Sequence, residues 1–132
     1  MSYATRTDLE ERYGASELTQ RESVLAAGAV ASALADADAM IDSYCAGRYA
    51  VPLSPVPPNL PGLACAIARY IILGDSATDM ARKNYEDARA YLRDVQAGRA
   101  LLESAAPLAG SAPAATVEMV TRDKVFNGGL RT

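Results

Sequence analysis

The segment Leu60–Leu73 constrains the fold more than any other part of this sequence, because it is apolar on nearly every side. Arg69 is its only charged residue, and Gly74 follows directly. Asn59 can cap a helix here, with Pro61 in the first turn. A helix that is apolar all round is buried on most of its surface. We therefore expect the central helix of a bundle, or part of a subunit interface, and the segment is too short to cross a bilayer.

Two long helices are predicted on either side of this segment, because apolar residues recur there at steps of three and four. The first helix is expected to stop at Gly47. Its apolar residues are Val30, Leu34, Ala37, Ile41 and Tyr44. The second is expected to begin at Thr78 or Asp79, to run through Ala97 and to end at Gly98. Its apolar residues are Met80, Ala81, Tyr85, Ala88, Tyr91, Leu92 and Val95.

The amino-terminal part predicts two shorter helices. Thr7 and Glu10 have the spacing of a capping box, in which each side chain bonds to the backbone of the other residue, and Gly14 is placed to end the helix. Thr19 is placed to cap a second helix that runs through Ala27. The chain is thus predicted to be all-α, a small bundle of four to five helices with an extended C-terminal arm.

The composition changes near residue 103 of the 132-residue chain, which predicts a division into two parts. Residues 1–103 are expected to form the helical domain, and residues 104–132 a linker and docking arm. The stretch Ser104–Ala115 is rich in Ala, Pro and Gly and cannot build a core. Thr116–Phe126 has the character of a short strand, which needs a docking partner to be stable. Its apolar residues are Val117, Met119, Val120, Val125 and Phe126.

Charge and motif content narrow the classes of function. The net charge of -3 argues mildly against nucleic acid as the main partner, because phosphate binding needs a basic surface. The chain has no histidine and no nucleotide-binding or zinc-binding motif, so no enzyme activity and no cofactor are predicted. Cys65 is expected to be a buried free thiol. The charged stretch Met1–Tyr13 is not a signal peptide, and we expect a protein made in the cytoplasm with no membrane partner.

Three aspartates offer the best case for an enzyme. Asp36, Asp38 and Asp42 lie close together on one predicted helix, and Asp38 and Asp42 could ligate a hard cation such as Mg²⁺. The competing interpretation, a solvated helix flank with one aspartate in a salt bridge, is favoured because few such clusters are sites. No metal site and no catalytic residue is therefore predicted.

The stretch Ile41–Leu53 is interpreted as a rigid joint between helices. The predicted structural corner consists of Asp42, Arg48, Tyr49, Pro52 and Arg69. Arg69 lies in an apolar helix, so its burial would require a partner, and Asp42 is a candidate. The alternative is that Arg69 reaches solvent along its aliphatic stem. If the pair exists, Asp42→Ala and Arg69→Ala are expected to destabilise the fold similarly, with little extra loss in the double variant.

An ordered set of short motifs resembles a domain-of-unknown-function family of Mu-like phages and prophages. The motifs span about residues 3–103, and the most specific is the pattern Asp-x-Tyr…Arg-Tyr-x-Val-Pro-Leu, which runs from Asp42 to Leu53. They are Tyr3–Thr5, Asp8–Leu9, Ala37–Ala39, Ile41–Tyr44, Gly47–Leu53, Ile67–Tyr70, Asn84–Ala88, Tyr91–Leu92 and Gly98. The set is also similar to the small helical head–tail connector, or adaptor, proteins of tailed phages.

The resemblance implies a structural virion protein and not an enzyme. Such proteins form a ring, typically twelve-fold, below the portal at the head–tail interface, where they extend the DNA channel and support the tail. The implied partners are other copies of the chain, the portal protein and a tail-completion or stopper protein. DNA would pass through the lumen without sequence-specific binding, and the C-terminal arm would dock on the portal or a neighbouring subunit. The alternative is a helix-turn-helix DNA-binding regulator built on Thr7–Ala27, which lacks a basic recognition helix.

Overall fold

Five α-helices dominate the residues that the computed structural model describes, which are 2–103 and 105–107. The helices are α1 (Arg6–Tyr13), α2 (Ala15–Glu22), α3 (Ala29–Cys45), α4 (Leu60–Leu73) and α5 (Asp79–Ala97). A 3₁₀ turn, Gly74–Ser76, connects the last two. The predicted all-α fold is confirmed, as are the predicted bounds of α4 and α5.

Helix α4 is the centre of the core, as its sequence predicts. It packs against both α3 and α5, and also against α1. Ile41 of α3, Ile67 of α4 and Leu92 of α5 are completely buried at these contacts. Each such side chain contributes about 1.5–3 kcal/mol when it leaves water. Alanines at 64, 66 and 68 are also buried, and their small size lets the neighbouring helices approach α4 closely.

The directions of the three long helices follow from two contacts. The ring of Tyr70, near the end of α4, stacks on Tyr85, near the start of α5, with 4.2 Å between their centroids. The Arg48 Nε, just after α3, donates to the carbonyl of Gln96 at the end of α5, at 2.8 Å. Helices α3 and α5 therefore end together at what we call the carboxyl end of the bundle, where α4 begins. Their starting points, with the end of α4, form the amino end.

The helix caps differ in part from those predicted. Helix α1 is capped two residues earlier than expected, by Thr5 and Asp8, not by Thr7 and Glu10. The Asp8 N–H donates to the Thr5 hydroxyl at 3.2 Å, and the Thr5 N–H donates to the Asp8 carboxylate at 2.9 Å. Asn59 occupies the cap position of α4, as predicted, but its side chain makes no capping hydrogen bond.

A short second helix is present, as predicted, but its predicted cap at Thr19 and its predicted end at Ala27 are wrong. Helix α2 starts at Ala15, immediately after Gly14, and ends at Glu22. Gly14 has a φ of 94°, a backbone conformation that glycine adopts at little cost. The chain therefore turns within one residue, and α1 and α2 form a tight pair beside α4.

Candidate functional site: a corner between helices

The amino-terminal residues cross α3 and fix it to the proline-rich connector. The Tyr3 hydroxyl donates to Asp42 and accepts a hydrogen bond from the buried backbone N–H of Leu53 at 2.8 Å. The Tyr3 N–H and the Ser2 hydroxyl donate to the two carboxylate oxygens of Asp38, at 3.0 and 2.8 Å. The side chain of Tyr3, which is only 4% exposed, thus joins the amino terminus to α3 and to the proline-rich connector.

The environment of Tyr3 raises the pKa of its hydroxyl, first through burial and then through its hydrogen bond to Asp42. An unfolded tyrosine has a pKa of about 10. Because the folded value is higher, the stabilisation is complete below about pH 10 and is lost as the pH rises further.

We therefore expect the wild-type protein to lose more unfolding free energy between about pH 9 and pH 11 than Tyr3→Phe does, since the variant has no hydroxyl to titrate. Urea unfolding at both values measures this difference. Ser2→Ala is the control, because it removes a neighbouring hydrogen bond without removing a group that titrates in this range. Equal losses in the wild type and in Tyr3→Phe would contradict the assignment.

Arg48 caps the carboxyl end of α5 through its side chain. Its Nε bond to the Gln96 carbonyl places a positive charge where the helix dipole is negative, which is favourable. The guanidinium covers Gly98, and a Cβ built on that glycine would lie only 2.9 Å from the Arg48 Cζ. Gly98 also has a φ of 83°. The backbone conformation therefore favours glycine at this position, and any other residue would also displace the guanidinium of Arg48.

Tyr49 connects the corner to the chain that follows α5. Its hydroxyl accepts a hydrogen bond from the buried N–H of Leu102 at 3.0 Å, and its backbone forms an antiparallel bridge with Pro107. Ala50 donates to the carbonyl of Ala106 at 3.1 Å. The described part of the predicted linker thus lies beside the corner. Pro52 is exposed, and the bond that precedes it is cis.

The predicted ion pair between Arg69 and Asp42 is wrong. Arg69 forms a bidentate pair with Glu17 of α2, with both N–O distances at 2.9 Å. Its Cζ also lies 4.3 Å from the centre of the Tyr13 ring. The side chain of Arg69 is only 16% exposed, so the alternative in which it extends into solvent is also wrong.

This second polar cluster fixes α1 and α2 to α4. The hydrogen bond to Glu17 raises the pKa of Arg69. Leu9, Leu18 and Ile72 surround the pair and leave a cavity of only about 10 Å³. A bidentate arginine–carboxylate pair has a fixed geometry, so it determines how α2 sits on α4.

The three aspartates that were weighed as a magnesium site either bind other residues or lie at the surface. Asp38 and Asp42 bind the amino-terminal residues, and Asp36 is exposed. Within residues 2–103 and 105–107, no group of three or more His, Cys, Asp or Glu side chains could hold a metal ion.

Helix α2 does not present a basic surface of the kind that a recognition helix needs. Its Arg21 donates to the carbonyl of Ile72 at 3.2 Å, and its Glu17 binds Arg69. Its exposed residues are Ser16, Thr19, Gln20 and Glu22, together with Ala15 at its start. The charged groups of α2 thus serve contacts within the domain.

The two cysteines of the chain lie in the described core. Cys65 is a buried free thiol, as predicted, and so is Cys45, and burial raises the pKa of both thiols to about 11. Among the described residues, no helix is long and apolar enough to span a membrane.

The predicted docking residues lie outside the described part of the chain. They are Val117, Met119, Val120, Val125 and Phe126.

Sequence reasoning missed the two residues that organise these contacts. Tyr3 is part of a motif in the sequence, but it lies two positions before the Thr5 cap, outside the hydrophobic pattern that commonly precedes a helix. Glu17 carried no comparable signal, because an acidic residue in a polar helix is usually solvated. Only the packing of α2 on α4 brings its carboxylate to Arg69.

These features define a small all-α protein whose polar side chains fix the joints between helices. A family model described as Bacteriophage Mu, Gp36 matches residues 3–121, and the chain belongs to that family. The predicted resemblance to a Mu-like phage family is thereby confirmed.

Two individual proteins from Mu-like phages or prophages are also similar to this chain. The chain is 42% identical over 101 residues to the Mu-like prophage FluMu protein gp36 of Haemophilus influenzae, covering 73% of the chain and 72% of the relative. It is 35% identical over 105 residues to gene product J of Escherichia phage Mu, covering 75% and 74% respectively. The family indicates a phage structural protein related to the head.

Proposed function

We propose that this protein is a head–tail connector that forms a ring below the portal, extends the DNA channel and provides the platform for the tail. The observation that carries the proposal is that large apolar side chains are exposed at both ends of the bundle. At the amino end these are Val24, Ile71 and Met80, which are 69%, 41% and 62% exposed. At the carboxyl end they are Leu101 and Val51, at 60% and 39%.

A subunit that sits between a portal and a tail needs a contact surface at each end, and exposed apolar side chains are typical of such surfaces. A ring also needs two different lateral faces, because each copy binds its neighbours head to tail. The outer face of α3 suits close lateral packing, since its exposed residues are small. They include Ala31, Ser32, Ala35, Ala39 and Ser43.

The family resemblance and the net charge of the chain support further details of this proposal, namely the ring symmetry, the partners and the passage of DNA. The ring is twelve-fold, to match the portal, and its partners are the portal and a tail-completion or stopper protein at the head–tail interface of the virion. The net charge of -3 fits a channel wall that DNA slides past without sequence-specific binding, because a basic wall would hold the phosphates. The C-terminal arm docks on the portal or on a neighbouring subunit.

Aspartate at either exposed end is expected to abolish assembly without unfolding the subunit. Met80→Asp and Leu101→Asp each alter a side chain that is mostly solvated, so the unfolding free energy should change by less than about 0.5 kcal/mol. A buried carboxylate in an interface is costly, and we expect capsid binding to fall at least about tenfold. Co-sedimentation with portal-containing capsids measures binding, and electron microscopy shows whether a ring lies below the portal.

Thr19→Asp, at an exposed position on the middle of α2, is the matched control and should bind as the wild type does. A folded wild-type protein that leaves portal-containing capsids unoccupied would refute the connector proposal. A gel shift on duplex DNA at low salt would then test the DNA-binding alternative.

A further inference from the structure

An open groove of about 400 Å³ runs between α4 and α5. Its floor is built from small residues, Gly62 and Ala66 of α4 and Ala88 of α5. Leu63 and Tyr91 form apolar walls. The remaining lining residues are Tyr13, Asn59, Asn84 and Asp87. An apolar floor with a polar rim is the typical shape of a site for a short segment of chain.

The small floor residues are the reason that the groove exists. Gly62 and Ala66 are four positions apart, so they lie on the same side of α4, where larger side chains would close the gap to α5. The guanidinium of Arg12 lies over Gly62, since a Cβ at that position would be 3.5 Å from its Nη1. Arg12 is an exposed, flexible side chain, so it can move aside for a side chain that enters the floor from outside.

The groove lies near the point where the chain leaves the described part of the structure. Pro107 pairs with Tyr49 at the carboxyl end of the bundle, where α4 begins. Asn59, at that start, lines the groove. The following residues 108–115 span up to about 26 Å when extended, which exceeds the roughly 21 Å length of α4. A spacer of this length is long enough for the segment that follows it to lie along α4.

We propose that this groove binds Thr116–Phe126 of the same chain in the free subunit. The spacer before it is rich in Ala, Pro, Gly and Ser and has little to bury, whereas this segment begins with Val117 and Met119 on either side of Glu118. In an extended segment Val117 and Met119 point to the same face, so they would fill the apolar floor while Glu118 faces the rim. The inference does not rest on the connector function, since it concerns the free subunit.

Site-specific cross-linking in the full-length protein tests the proposal. Met119 is replaced by the photoreactive p-benzoylphenylalanine, and the irradiated protein is analysed by mass spectrometry. We expect cross-links to residues 59–66 and 84–91, within one chain. Gly62→Leu fills the floor and favours the helix, so it should fold and reduce these cross-links at least about tenfold. Ala35→Arg, on the exposed face of α3, is the matched control and should leave them unchanged.

The source of the segment is identified by mixing ¹⁵N-labelled and unlabelled protein before irradiation. Cross-linked peptides that carry one isotope only support binding within a chain. Mixed-isotope pairs would show that a second copy fills the groove and would overturn the proposal. Cross-links to other surfaces, an absence of cross-links, or an unchanged yield in Gly62→Leu would overturn it as well. Capsid co-sedimentation tests the connector function, and cross-linking tests the groove. A negative result in one experiment therefore does not affect the other proposal.

Discussion

Tyr3→Ala is expected to lower the unfolding free energy by about 3–5 kcal/mol, the usual cost of removing a large buried aromatic side chain. The ring of Tyr3 is buried in the core, and its hydroxyl joins Asp42 to the N–H of Leu53. Alanine leaves a cavity and removes the acceptor of a buried N–H group, and both effects are destabilising. Urea unfolding followed by circular dichroism at neutral pH measures the loss.

Tyr3→Phe separates the contribution of packing from that of hydrogen bonding. It keeps the ring, so we expect a loss of about 1–2 kcal/mol, which reflects the unsatisfied Leu53 N–H and the lost bond to Asp42. Ser2→Ala, which removes an exposed hydrogen bond to Asp38, should cost less than about 0.5 kcal/mol. A loss below about 1 kcal/mol for Tyr3→Ala would show that the amino terminus does not hold α3 to the connector.

The second large effect is expected at the ion pair between Arg69 and Glu17. Arg69→Ala should cost about 2–3 kcal/mol, because it removes a half-buried bidentate pair and the stacking of the guanidinium on Tyr13. Glu17→Ala should cost about 1–2 kcal/mol. Because the two residues are partners, the double variant should lose about 1–2 kcal/mol less than the sum of the single losses. Urea unfolding of all four proteins completes this double-mutant cycle.

Two further cycles distinguish this pairing from the one that the sequence suggested. Asp42→Ala and Arg69→Ala should be additive to within about 0.5 kcal/mol, because Asp42 binds Tyr3 instead. The exposed pair of Lys83 and Asp87 is the matched control, and its coupling should not exceed about 0.5 kcal/mol. Coupling between Arg69 and Asp42, without coupling to Glu17, would contradict the structure.

The long helices could be predicted because their signals are local and agree with one another. In α5, the spacing of Ala88, Leu92 and Val95 indicates one buried face, while Thr78 and Gly98 mark the two ends. In α4, the near absence of charge indicates burial on most sides. Each signal depends on residues within a few positions of one another, so no knowledge of the rest of the fold is needed.

The amino-terminal helices were harder to predict because several local patterns competed. Thr5 with Asp8 and Thr7 with Glu10 both have the spacing of a capping box. The choice between them depends on Tyr3, whose packing into the core fixes where the chain enters α1. At Gly14 the chain turns within one residue, which its positive φ permits, and the contacts of α1 with α2 and α4 favour this turn over a longer first helix.

The sequence by itself determined an all-α chain with a buried central helix, because helical periodicity and glycine at helix ends act over a few residues. Which polar groups contact one another depends on the tertiary structure. Arg69 and Glu17 are 52 positions apart, and Tyr3 is 50 positions from Leu53. A half-buried charge needs a partner. The identity of that partner depends on how the helices pack, because side chains far apart in the sequence become neighbours only when the core is formed.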